Sequence, residues 1–254
     1  MSELKNPIRV AVIGADGRMG THVCEAVEAA EGLELVARID QDDDLDQVIT
    51  DTAPDVAVDF TIPGVSQRNV ATLVARGVHA VVGTSGWTKD QLEQVRADLN
   101  KTPSTGVLVA PNFALGSVLA SKFAAQAARF FESVEIIELH HPDKIDAPSG
   151  TATNSAIHIA EARRAAGVAP SPDATEKQLD GARGATVDGI TVHSVRLRGL
   201  VAHEEILMGN PGEMLTFRHD SFDRISFMPG VILAVRQIAN RPGLTVGLDN
   251  YLEL

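Results

Sequence analysis

Ile8 to Gly20 reads IRVAVIGADGRMG, an apolar run of strand length that passes without a linker into a GxxGxxG turn. Behind the turn, Arg18 to Ala30 carries apolar residues at helical spacing. In a strand–turn–helix of this kind the first glycine permits the tight turn. The second lets backbone N–H groups approach a pyrophosphate, and the last lets helix and strand pack closely. Gly14, Ala15, Asp16, Gly17, Arg18, Met19 and Gly20 are therefore read as contacts of a dinucleotide. Asp40 lies twenty residues after Gly20, at the end of the next apolar run, where an acid can bind ribose hydroxyls. The alternative is a glycine turn that only shapes the backbone.

Outward from this turn, apolar runs alternate with helical patterns. Strands are expected at Ile8–Ile13, Leu33–Ile39, Val56–Phe60, Ala80–Val82 and Val107–Ala110, with helices at Arg18–Ala30, Ser66–Arg76 and Thr88–Leu99. Such alternation implies right-handed crossovers and a doubly wound parallel (Rossmann-type) sheet in an α/β fold. Ligands of open α/β sheets bind outside the carboxyl ends of the strands. Gly83, Thr84 and Ser85, and Ala110, Pro111, Asn112 and Phe113, follow two of these strands and are read as further cofactor contacts, against the alternative of capped turns.

The second half reads differently. A helix at Gly116–Phe131 precedes a strand at Val134–Leu139, a helix at Ala152–Arg164 and a Pro/Gly/Asp-rich loop around 168–189. Strands at Thr191–Leu197, Glu204–Met208 and Glu213–Arg218 suggest an antiparallel or mixed sheet. Pro229–Asn240 reads as a helix that returns to the first domain. The expected division is 1–114 plus 224–254 as a dinucleotide-binding domain and 115–223 as a second, α+β domain.

Glu138 to Thr151, ELHHPDKIDAPSGT, concentrates the chemistry of that second domain. Pro142 removes a backbone donor and keeps His141 out of the helical region, so His140 and His141 end a strand. Ser149 stands where an N-cap would, and Gly150 and Thr151 open the following helix. The first N–H groups of a helix lack internal partners and its dipole is positive there, which favours a carboxylate or phosphate. Lys144, one of six lysines, adds a full charge. An imidazole, an amine and a helix N-terminus on one loop describe a receptor for a small anion that also needs a proton. Each group has a plain structural role when taken singly. A metal is not expected, because neighbouring side chains on extended backbone point apart and no further His/Cys cluster is in register.

Composition narrows the partners. With 22 Lys+Arg against 34 Asp+Glu, the formal charge is −12 and no basic stripe is present, so nucleic acid is not an expected partner. The single cysteine, Cys24, excludes an internal disulfide and reads as a packing residue. No segment has the length of a membrane span and the N-terminal stretch lacks a signal-peptide pattern, so a cytoplasmic location is expected.

These residues together resemble the dihydrodipicolinate reductase (4-hydroxy-tetrahydrodipicolinate reductase) family. The likeness rests on the glycine turn, Gly83-Thr84, Ala110–Phe113 and above all the string HHxxKxDAPSGTA from His140 to Ala152. It spans nearly the whole chain. The resemblance implies hydride transfer from NADH or NADPH to a cyclic dicarboxylate, in the diaminopimelate route to lysine, by a homotetramer built through the sheet of the substrate domain. It implies that His140 is the acid/base residue and Lys144 a proton donor that also holds substrate. His141, Ser149, Gly150 and Thr151 then meet the dicarboxylate. Where relatives often place a lysine in the glycine turn, this chain has Asp16, which repels a 2′-phosphate. Arg18 or Arg38 could compensate, so NADH is expected to be favoured with NADPH still usable. Two other readings share the fold: a dehydrogenase acting on a semialdehyde, and a non-catalytic dinucleotide sensor. Neither needs His140, His141 and Lys144 beside Ser149-Gly150-Thr151.

Overall fold

The computed structural model describes residues 6–252. They form two compact units, one running to Phe113 and resuming at Phe227, the other spanning Ala114–Ser226.

In the first unit, six parallel strands lie in the order β11-β5-β4-β3-β1-β2: β1 (Ile8–Ile13), β2 (Leu33–Ile39), β3 (Val56–Asp59), β4 (His79–Val82), β5 (Gly106–Val109) and β11 (Gly243–Val246). Helices cover both faces, which is why the central strands read as unbroken apolar runs. Val10, Ala11, Val12, Ala57 and Val58 have no exposed surface. One face packs on α2 (Leu45–Thr52), α3 (Pro63–Ala75) and α4 (Lys89–Leu99), where Ile49, Val70, Leu73, Val74, Val95 and Leu99 close a core over Ala11, Ile13, Ala57 and Val82. Burying each large aliphatic side chain contributes roughly 1.5–3 kcal/mol. On the other side α1 (Arg18–Ala29) packs beside α7 (Met228–Gln237), and the buried Cys24 belongs to α1.

Several elements differ from expectation in extent. The helix foreseen at Ser66–Arg76 starts at Pro63, because proline is favoured where its missing N–H has no partner to lose. Thr88 stands outside α4 as its N-cap, in a capping box with Gln91. The segment expected as one helix from Pro229 to Asn240 ends in a 3-10 turn at Ile238–Asn240.

The second unit is a five-stranded mixed sheet in the order β10-β9-β6-β8-β7: β6 (Ser133–His140), β7 (Ala185–Val187), β8 (Ile190–Arg196), β9 (Ala202–Asn210) and β10 (Glu213–Ser221). Only β6 and β8 run parallel. One face carries α5 (Leu115–Ala128) and α6 (Gly150–Ala165), which bury Ala124, Ala128, Ala152, Ala156 and Ile159 against Val134, Ile136, Ile206 and Met208. Arg163 fastens the far end of α6 by donating to the carbonyls of Ala128, Phe131, Glu132 and Ala169. Its four acceptors hold a buried guanidinium without an acid, so the group staples loops and is spent on structure.

Candidate functional site

In the first unit the parallel sheet brings every strand-end loop to one edge. The strand order places β2 and β3 on opposite sides of β1, so the Gly14–Gly20 turn leaves the sheet at a topological switch point. Gly14 has φ +78°, and a Cβ there would lie 2.9 Å from the Phe60 carbonyl oxygen. A Cβ on Gly20 would lie 1.9 Å from the Gly14 carbonyl oxygen. Only glycine lets α1 approach β1 this closely. Gly17 caps α1 with no side-chain hydrogen bond, and the first turn holds no acid. Helix N–H groups with no side-chain cap, behind a turn with glycine at three positions, fit the pyrophosphate of a dinucleotide.

Asp40 sits at the end of β2 and accepts the Asp16 N–H at 2.9 Å and the Gln41 N–H at 2.8 Å. The carboxylate expected to meet ribose thus also pins the glycine turn. Asp16 and Arg18 are exposed. Arg38 pairs with Glu28 on α1 (2.9 Å).

The remaining expected cofactor residues separate into those facing solvent and those that build the loops. Ser85 and Pro111 are exposed and Asn112 is half-buried. Ala15, Ala110 and Phe113 lie in the core, with Phe113 packed on Phe60 at 5.7 Å between ring centroids. These three can offer a ligand only backbone. Gly83 is dictated by Phe60 as well, since a Cβ would lie 2.0 Å from that ring. Thr84 turns its hydroxyl onto Asp59 (3.2 Å). Asp59, with no exposed surface, also accepts from the Thr61 N–H and hydroxyl and from Asn69. It joins the loops after β3 and β4, a role that the apolar run ending VAVD did not announce.

In the second unit, β6 ends at His140 and α6 starts at Gly150, joined by the loop that carries Lys144 and Asp146. The Lys144 ammonium donates to Asp146 Oδ1 at 2.6 Å, and the Gly150 N–H donates to Asp146 Oδ2 at 3.2 Å. One carboxylate therefore already sits between the amine and the helix end. Burial pushes the Asp146 carboxyl up, but Lys144 and the backbone donors more than offset this and hold it below its usual range. His141 is half-buried and its ring makes no hydrogen bond among the described residues. Ser149 is the N-cap that its position implies. Its hydroxyl accepts the Ala152 N–H (3.1 Å) and its own N–H goes to Glu138 (3.1 Å), so it builds the helix end.

Beneath this loop lies Glu138, fully buried. It meets His140 Nδ1 at 2.5 Å and accepts both arms of Arg196 at 2.8 Å, while Arg196 also donates to the Asp146 carbonyl (2.7 Å). Burial pushes the Glu138 carboxyl up, yet hydrogen bonds from His140, Arg196 and Ser194 dominate and hold it far below the ordinary range. It is ionised. The sequence motif includes Glu138 but assigns no role to it, and Arg196 lies outside the motif. Glu138 shares strand parity with Val134 and Ile136, which was the available sign that it faces inward; Arg196 gave none.

Comparison with known proteins matches residues 8–113 to a family model described as dihydrodipicolinate reductase, N-terminus, and residues 116–252 to its C-terminus counterpart. The chain belongs to the dihydrodipicolinate reductase family. Relatives named 4-hydroxy-tetrahydrodipicolinate reductase from Beutenbergia cavernae and Nocardia farcinica are each 62% identical over 247 residues, spanning 97% of this chain and 99% of theirs. Among solved structures, the dipicolinate-bound dihydrodipicolinate reductase of Paenisporosarcina sp. TG-14 is similar at TM-score 0.87 and 41% identity, covering 97% of this chain and all of that one. An amine dehydrogenase from Mycobacterium smegmatis, at 14% identity and TM-score 0.63, shares the fold alone. Membership in the reductase family agrees with a nucleotide-binding sheet joined to a unit that grips a carboxylate. Among the described residues no helix is long and apolar enough to cross a membrane, and no cluster of three or more His, Cys, Asp or Glu could hold a metal ion.

Proposed function

We propose that this chain reduces 4-hydroxy-tetrahydrodipicolinate to tetrahydrodipicolinate with NAD(P)H, in the diaminopimelate route to lysine. The observation that carries this reading is the carboxylate seat of the second unit, where Lys144 and the Gly150 N–H converge on Asp146. A substrate carboxylate has the same charge and geometry as that of Asp146 and takes its place on these donors, with Thr151 in the same helical turn. Ser149 keeps the helix end open to it, and His141 supplies a further donor.

A bound nicotinamide supplies the hydride. The chain's own residues supply the proton: once the substrate's 4-hydroxyl has left as water, hydride addition to the resulting unsaturated imine leaves a carbanion-like centre that must be protonated. His140 is the acid/base group, held by Glu138, and Lys144 is a second donor that also offsets the substrate's negative charge. In the first unit, the glycine turn accepts the pyrophosphate and Asp40 the ribose. NADH is the favoured cofactor, because Asp16 and Asp40 put negative charge where NADPH carries a phosphate. The enzyme works as a cytoplasmic homotetramer assembled through the open face of the β10-β9-β6-β8-β7 sheet, which alternates half-buried Ile137, Leu139 and Leu207 with ion-paired Glu135 and Glu205.

The test couples condensation of pyruvate with aspartate semialdehyde to this protein and follows nicotinamide absorbance. Consumption that requires both precursors is expected. No oxidation of either NADH or NADPH defeats the proposal. Pyridine-2,6-dicarboxylate separates the rivals further: the reductase binds it more tightly with cofactor present, whereas a dinucleotide sensor ignores it.

A further inference from the structure

Glu138 accepts hydrogen bonds on every side, from Arg196 Nη1 and Nη2 (2.8 Å each) and from the Ser149 N–H (3.1 Å), and it also touches His140 Nδ1 at 2.5 Å. A carboxylate engaged by a bidentate guanidinium is ionised and has no proton to give. The hydrogen in the contact with the imidazole therefore belongs to Nδ1. We infer that Glu138 is the positioning residue of the reductase, fixing His140 as the Nδ1–H tautomer so that Nε2 is the nitrogen that exchanges protons with substrate. This rests on the acid/base role proposed for His140 and deepens it.

The arrangement does more than choose a tautomer. Glu138 and His140 lie two residues apart on β6, and Glu138 pairs in register with Ser194, as His140 does with Arg196, on the parallel strand β8. The Arg196 fork thus fixes the carboxylate from the neighbouring strand. Its bond to the Asp146 carbonyl ties the same unit to the loop that carries Lys144. Glu138 has no exposed surface and the His140 side chain is 12% exposed. In so dry a place, a buried charge that lost a partner could not turn to water instead, so the imidazole is held in one orientation. A second buried carboxylate, Glu204, stands opposite on β9 but reaches only the Ser155 hydroxyl (2.9 Å), so it does not compete for His140.

The full-length protein labelled with 15N-histidine reports the tautomer directly by ring NMR, with His140→Gln identifying the signal. An Nδ1–H proton protected from exchange is expected; an Nε2–H tautomer at His140 overturns the inference. Because that spectrum needs no substrate, it stands whether or not the coupled reaction runs, and failure of the reaction strikes the proposed function alone. In turnover, Glu138→Gln keeps the shape but loses the charge. It is expected to lower kcat by roughly 10–100-fold, the range for losing an orienting partner, while KM and the affinity for pyridine-2,6-dicarboxylate stay within about twofold. Unchanged kcat, or a KM that rises as far as kcat falls, overturns the assignment. If the variant does not fold, the wild-type spectrum decides the matter.

Discussion

Glu138 and Glu204 stand opposite one another across the β6–β9 pair, and their titrations are driven in opposite directions. Glu138 is surrounded by donors and stays charged. Glu204 has the Ser155 hydroxyl on one oxygen and, among the described residues, no partner on the other, so burial, with the Glu138 charge adding to it, pushes its pKa up to about 7 from an ordinary 4.5.

Stability should therefore depend on pH through Glu204. Its folded-state value lies above that of the unfolded chain, so the stability of the neutral form is whole below about pH 4.5 and is lost as pH rises through 7. The loss is on the order of 3 kcal/mol. Glu204→Gln keeps the neutral shape and does not ionise. Thermal unfolding of variant and wild type between pH 5 and 8 should show a Tm difference that grows with pH in favour of the variant. A difference independent of pH contradicts this account.

Asp146 occupies the Lys144 ammonium and the Gly150 N–H, the donors proposed to hold a substrate carboxylate. An intramolecular competitor that is half exposed contributes roughly 0.5–1 kcal/mol. Asp146→Asn is thus expected to tighten pyridine-2,6-dicarboxylate by about two- to fivefold in calorimetry. Weaker binding shows that the Asp146 charge is needed to hold Lys144 in place. Lys144→Ala should lose binding and turnover together while NADH affinity stays unchanged.

What was legible in the chain follows from how far each interaction reaches. The strands β1 and β3 are covered on both faces and read as unbroken apolar runs, and Gly14–Gly20 is a local motif in which the Gly17 and Gly20 clashes arise within seven residues, while that of Gly14 with Phe60 does not. The polar helix α2, LDQVITDT, buries only Ile49 and carries too little pattern to be seen. Strand β11 is four residues after a Gly/Pro turn, and it exists because it pairs with β5. Glu138 and Arg196 are 58 residues apart, so no motif spacing reveals the ion pair before the parallel β6–β8 register is known. Thr84 and Ser149 sit in motifs that sequence reads as ligand contacts. The structure spends their hydroxyls on Asp59 and on the α6 cap.

The glycines separate packing from mere flexibility. Gly20→Ala drives a methyl to 1.9 Å from the Gly14 carbonyl oxygen, and backbone on both sides leaves no soft group to yield. A loss of roughly 1–3 kcal/mol or more is expected, with NADH affinity falling because α1 must move away from the turn. Gly64→Ala in α3 meets nothing within 4 Å and should be neutral or stabilise by up to about 1 kcal/mol. Equal effects of the two substitutions on Tm and on NADH titration would falsify the close-approach argument.

The proposed preference for NADH rests on Asp16. Its N–H anchors the turn to Asp40 while its exposed side chain adds a second negative charge there, and Arg38 is held by Glu28. Both carboxylates repel a 2′-phosphate, so catalytic efficiency should be higher with NADH than with NADPH. Asp16→Lys leaves the backbone bond intact and reverses the charge at one position. A change of two units near a phosphate, partly screened at the surface, corresponds to about 1–2 kcal/mol, or roughly a 5- to 30-fold gain in the NADPH/NADH efficiency ratio. The gain should shrink as salt is raised. Freeing Arg38 by Glu28→Gln should move the ratio the same way by less, since that guanidinium lies at the strand end rather than in the turn. A wild-type preference for NADPH, or an Asp16→Lys ratio that stays fixed from low to high salt, places the discrimination outside this turn.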